Sequence, residues 1–108
     1  MSVSAAEIAF ALELFQGLGP LTHRKMMGGL CLYRSGVIFA LLHSDGSVWL
    51  KGAGGFAATM TAEGWERWTY ARPGGKPVAM PYWRLPDAAL DDPDLACNLA
   101  AQALNDLG

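Results

Sequence analysis

The sequence predicts an α+β domain: an antiparallel sheet of about five strands, a three-strand meander followed by a hairpin, with N- and C-terminal helices packed on it. Three observations carry this. Apolar residues recur at helical spacing at both ends of the 108-residue chain. Between the ends the apolar period falls to two. The changes of period fall at glycine, proline and aspartate turn signals.

Ser4 and Glu7 form a capping box, so the first helix starts at Ala5. Ile8, Leu12 and Phe15, with Ala11, give it one apolar face, and Gly17, Gly19 and Pro20 end it. Leu30 and Leu32 then alternate with Cys31 and Tyr33, and Ser35–Gly36 turns the chain into the apolar run Val37 to Leu42. Asp45–Gly46 predicts a type I′ hairpin turn, because both central residues of that turn need positive φ, and Val48 to Lys51 returns as the third strand. Phe56 and Met60, followed by Gly64, predict a short helix. The second hairpin alternates Trp68 and Tyr70, turns through residues 72–76 and returns through Val78, Met80 and Tyr82. Pro81 lacks a donor and marks an edge or a strand end. Asp92 is an N-cap, Pro93 and Asp94 suit the first turn, and Leu95, Leu99, Ala103 and Leu107 form an apolar stripe flanked by Ala96 and Ala100.

Composition narrows the function classes. The chain is 52% apolar and 17% charged, rich in apolar residues for a small monomer, which favours a homodimer or another partner. A net charge of -2 opposes sequence-independent attraction to nucleic acid, although the middle of the chain is basic and the tail acidic. The first ten residues contain neither a cationic start nor a continuous apolar run, and no segment is apolar over a bilayer's width. Two cysteines outside any metal or redox motif predict a reducing, cytoplasmic location, and the placing of Cys31 in an apolar strand predicts an inert thiol. One domain over residues 1–108 is expected.

A set of residues runs the length of the chain in a specific order: Arg24, Lys25 and Met26 with Gly28 and Gly29, then Tyr33, Phe39 to Leu41, Leu50 with Lys51, Tyr70, Met80 to Tyr82, Pro86, and Leu90 to Pro93. This pattern resembles the N-terminal domain of the TfoX/Sxy family, bacterial proteins linked to regulation of natural competence. The sequence departs from the family pattern at Met27, where an aromatic is usual, and at Gly52, where an acid often follows the strand lysine. The resemblance implies a secretion-chaperone-like fold in which dimers are common. It also implies a non-enzymatic regulatory role, which two-domain relatives exert together with the cyclic-AMP receptor protein; this chain reads as a single-domain member. Gly28, Gly29, Tyr33, Tyr70, Pro81, Tyr82 and Pro86 are then family-pattern residues with structural roles.

The candidate interaction residues fall into two groups. Arg24, Lys25, Met26 and Met27 form a recognition loop on one reading. On the other, favoured because glycine inside a strand pattern marks bulges and positive φ, the segment is the approach to the sheet shaped by Gly28 and Gly29. In the second hairpin, Arg67, Arg72, Lys76 and Arg84 interleave with Trp65, Trp68, Tyr70, Tyr82 and Trp83, a composition shared by nucleic-acid platforms, protein hot spots and plain packing. Alternation sends about half of these rings to the core, so packing and protein contact rank above the alternative, a nucleic-acid or small-ligand binding module on this hairpin. Lys51 completes the cations. His23 and His43 lack convergent metal ligands, and no nucleophile–base arrangement or carboxylate pair recommends catalysis, so the expectation is a binding domain without metal or cofactor; that its partner is a transcription-regulator protein is what the resemblance implies.

Overall fold

The computed structural model describes residues 3–26, 28–71 and 73–107. Its elements, in chain order, are helix α1 (Ala5–Leu14), a 3-10 turn (Gln16–Leu18), strands β1 (Thr22–Met26), β2 (Gly29–Arg34), β3 (Val37–Leu42) and β4 (Val48–Lys51), helix α2 (Gly54–Ala62), strands β5 (Arg67–Ala71) and β6 (Pro77–Arg84), and helices α3 (Asp87–Leu90) and α4 (Pro93–Leu107). The strands form one antiparallel sheet in the order β1-β2-β3-β4-β6-β5. The α+β class and the helix-on-sheet architecture are as predicted.

The sheet has six strands rather than about five. The additional strand is β1, which pairs residue for residue with β2 from Thr22 opposite Tyr33 to Met26 opposite Gly29. All five of its residues are exposed, so its sequence carries no apolar alternation by which to recognise a strand.

Turn chemistry is also redistributed. Ser35 and Gly36 both have positive φ (52° and 79°) between Arg34 and Val37, which pair, so the two-residue type I′ geometry lies there. At the β3–β4 connection, where the sequence predicts that turn, only Gly46 is positive (89°). Its N–H donates to His43 O (2.9 Å) and His43 N–H donates to Ser47 O (2.8 Å), giving a longer loop that closes on a left-handed glycine.

One sheet face is buried under the helices. Leu30, Leu32, Phe39, Ala40, Leu42, Val48, Leu50 and Trp83 meet Ala11, Leu14 and Phe15 from the α1 end, Phe56 and Met60 from α2, and Ala96, Ala100 and Ala103 from α4. Phe39 and Ala40 both reach this core because the β2–β3 register shifts there: Leu32 faces Ala40 while Tyr33 faces Ile38, leaving Phe39 as the extra residue of a bulge. Phe39 then meets Phe15 edge to face at 5.3 Å.

The α1 capping box forms, with Ser4 Oγ accepting from Glu7 N–H (3.1 Å) and Glu7 Oε1 accepting from Ser4 N–H (2.9 Å). Asp92 caps α4 through the Leu95 N–H (3.1 Å). The buried stripe of α4 is Ala96, Ala100 and Ala103, and Leu95 is exposed, so the expected leucine stripe is corrected to an alanine one. Alanines let the helix axis sit close to the sheet, and Leu99, Leu104 and Leu107 flank the contact half-buried. Pro81 lies inside β6, not at its end. β4 pairs only with Tyr82, Trp83 and Arg84, and the β5 ladder is irregular between Arg67 and Thr69, so the missing N–H falls where both ladders are interrupted.

Candidate cationic and aromatic sheet face

The face opposite the helices is set by register. Opposed residues of antiparallel strands share a face, so Arg24, Cys31, Leu41, Trp49 and Arg84 form one rank across five strands, beginning and ending on arginine. Tyr33 and Ile38 lie beside it, as do Lys51 and Tyr82. None of these residues belongs to the core beneath the helices. Cys31 and Trp49 are nevertheless buried, at 2% and 8% exposure.

The cover comes from the edge hairpin. Trp68 of β5 folds over this face, with its ring centroid 5.3 Å from His43, 5.5 Å from Trp49 and 6.2 Å from Tyr82. Between Trp68 and Met26 lies an apolar groove of about 230 Å³, floored by Cys31 and Leu41 and bounded by Gly29, Leu30, Leu42 and His43. A larger depression of about 530 Å³ at Trp65, Glu66, Arg84, Leu85, Pro86 and Asp87 lies at the end of β6; it is shallow, and its charges include the Arg84–Glu66 pair at 3.8 Å.

A polar chain fixes Trp49 in place. Its Nε1–H donates to Ser47 Oγ at 2.8 Å, and the Ser47 hydroxyl donates to Asp45 Oδ1. Hydrogen bonds from the Ser47 hydroxyl and backbone N–H hold the Asp45 carboxyl below its ordinary pKa, with His43 adding to the effect. Burial raises the Cys31 thiol, opposed by a hydrogen bond from Tyr33 and the charge of Arg24. It raises the Tyr82 hydroxyl too, helped by Cys31 and Tyr33, so these groups stand near one another on this face.

Charge is sorted between the two layers. Each described Lys and Arg lies in a strand or a strand connection, whereas eight of the ten carboxylates (Glu7, Glu13, Glu63, Asp87, Asp91, Asp92, Asp94 and Asp106) lie on helices or at their ends. Among the described residues two ion pairs form, His43–Asp45 and Arg84–Glu66, so Arg24 and Lys25 meet no described carboxylate.

The two groups of sequence candidates are thus split. Arg24, Lys25 and Met26 are strand residues, which corrects the loop reading; Met26 is 47% exposed and lines the groove. Gly28 has φ 81°, and Gly29 lies against the Leu42 carbonyl, as the reading of these glycines as backbone geometry requires. Met27 and Arg72 lie outside the described residues. Lys51 ends β4 on the uncovered face, half-buried. Arg67 turns the other way: its Nε–H donates to Met80 O (2.9 Å) and its guanidinium lies 4.5 Å over the Trp83 ring. Lys76 is exposed in the β5–β6 connection. Of the family-pattern residues, Tyr70 is 42% exposed, Pro81 accepts from the Gly52 N–H (3.0 Å) and Pro86 caps α3. Sequence reasoning missed Leu41, Trp49 and Ser47 as parts of the face. The Leu41 and Trp49 alternation was legible, but nothing local says which side the helices cover.

Such a face can bind: it offers an apolar groove, an adjacent unpaired strand edge and, elsewhere on the same face, Arg24, Lys51 and Arg84. Among the described residues, no three His, Cys, Asp or Glu side chains converge as a metal site would need, and no helix is long and apolar enough to cross a membrane. Comparison with curated proteins returned no match. The family description TfoX N-terminal domain matches residues 13–107, a span that holds all six strands and α2 to α4. The chain therefore belongs to the TfoX N-terminal domain family.

Proposed function

We propose that the chain is a non-enzymatic, cytoplasmic regulatory domain of the competence-regulator type, acting by contact with a transcription-regulator protein through the uncovered sheet face. The observation that supports this most is the uneven spread of charge: the helices carry most of the acids, and the opposite sheet face carries Arg24, Lys51 and Arg84 together with an apolar groove. Affinity capture from host extract tests it. Wild type should retain a protein that Arg24→Ala/Lys51→Ala loses and the helix-side control Asp94→Ala keeps. Equal recovery by all three contradicts the assignment of the face.

Protein is favoured over nucleic acid because the rings of this face are spent on one another. Trp68 packs against His43, Trp49 and Tyr82, leaving few free ring faces for bases. A labelled oligonucleotide should show no salt-dependent shift.

Self-association along β5 is the second part of the reading. That opposite sheet edge exposes Tyr70, while among its described residues the cation within β5, Arg67, is folded back onto Met80 and Trp83. The edge is therefore poorly defended against pairing. Light scattering should give a dimer at micromolar concentration and a monomer for Tyr70→Asp, and a monomeric wild type would sink this part.

A further inference from the structure

Resting on that reading, we propose that β1 is the docking edge for an extended acidic segment of the protein partner, which adds to the sheet as a seventh strand and packs one large apolar side chain on Met26, the outer wall of the groove. β1 ends the sheet and pairs on one side only, with β2, so its other side offers backbone donors and acceptors to an incoming strand. Alternate residues of β1 point to opposite faces: Thr22, Arg24 and Met26 share the face of Cys31, and His23 and Lys25 share the face of Leu30 and Leu32. An added strand alternates in the same way, so successive side chains of the ligand meet Met26, then Lys25, then Arg24.

The chemistry of these three positions specifies the ligand. Met26, 47% exposed at the outer wall of the groove, offers a large apolar side chain an apolar surface to pack on. Opposite Lys25 and Arg24, neither of which meets a described carboxylate, acidic side chains form favourable cross-strand pairs. The segment therefore reads apolar–acidic–acidic, with the apolar residue and the second acid about 7 Å apart on one face, the two-residue repeat of a strand. A second copy of this chain is a poor occupant, because its own β1 would bring like charges together across the new ladder. Its carboxylates are also mostly on helices. Nucleic acid is disfavoured because a strand edge beside an apolar groove suits a polypeptide backbone and side chain.

A random twelve-residue peptide display library, panned on the intact protein, tests this. Enriched peptides should carry a large apolar residue followed by two acidic ones, in either chain direction. A synthetic peptide of the enriched sequence should bind at least about tenfold more weakly to Arg24→Glu/Lys25→Glu, and more weakly to Met26→Ala. These residues are exposed, so the variants should fold, as circular dichroism would show. Panning on the double charge-reversal variant should swap the acids for Lys or Arg. The proposal is overturned if no peptide is enriched, if the enriched peptides lack acids, or if they bind the double variant as tightly. Peptides that depend on Trp68 but not on β1 would leave protein contact standing and remove β1 from it. Binding of an oligothymidylate probe with no peptide enriched would sink both.

Discussion

An alanine at Gly29 would place its Cβ 2.7 Å from the Leu42 carbonyl oxygen, in the backbone of the neighbouring strand, where no side-chain rotation relieves the clash. Gly36 is the opposite case: nothing lies within 4 Å of its Cβ position, and only its φ of 79° resists substitution. Gly29→Ala should therefore destabilise by about 3 kcal/mol and Gly36→Ala by about 1 kcal/mol, measured by urea denaturation, and the reverse order would contradict the β2–β3 register. That Gly28 and Gly29 serve backbone geometry was legible, because glycine beside a strand pattern has few other uses. Which glycine needs its conformation and which needs the space was not, since the Leu42 carbonyl arrives from a strand thirteen positions on. Likewise the dipeptide Asp45–Gly46 matched a type I′ turn locally, but the hydrogen bonds from His43 and Gly46 close a longer loop.

Elements recognised by periodicity survive in the structure, and those lacking it are where reading failed. α1 and α4 start where their caps place them, whereas β1 could not be read as a strand because no residue in it is buried. The α4 stripe shows the limit of counting apolar residues: Leu95, Leu99 and Leu107 sit at helical spacing, yet close approach to β3 and β4 selects the alanine side. α2 shows a helix whose cap comes from elsewhere. Ala53 offers no capping side chain; instead Asp106 of α4 accepts the Phe56 N–H at 2.8 Å, near the positive end of the α2 dipole. Asp106→Ala should lower stability by about 1 kcal/mol, seen as an earlier urea midpoint, and an unchanged midpoint would remove Asp106 from the capping role.

Across the whole molecule, one sheet face closes the core and the other carries packed rings with Arg24, Lys51 and Arg84. The sequence showed its basic middle and acidic tail but not their sorting into layers, because that depends on which face the helices choose. The same uncertainty hid the groove, whose walls come from β1, β2, β3 and β5. A partner docked on the uncovered face along β1 would shield the amides of that strand. Hydrogen exchange read by mass spectrometry, on the chain alone and saturated with its captured partner, tests this most directly. Slowed exchange concentrated in Thr22–Met26, with amides in α1 and α4 unchanged, is the expected result; protection on the helices with β1 unaltered would contradict docking along β1.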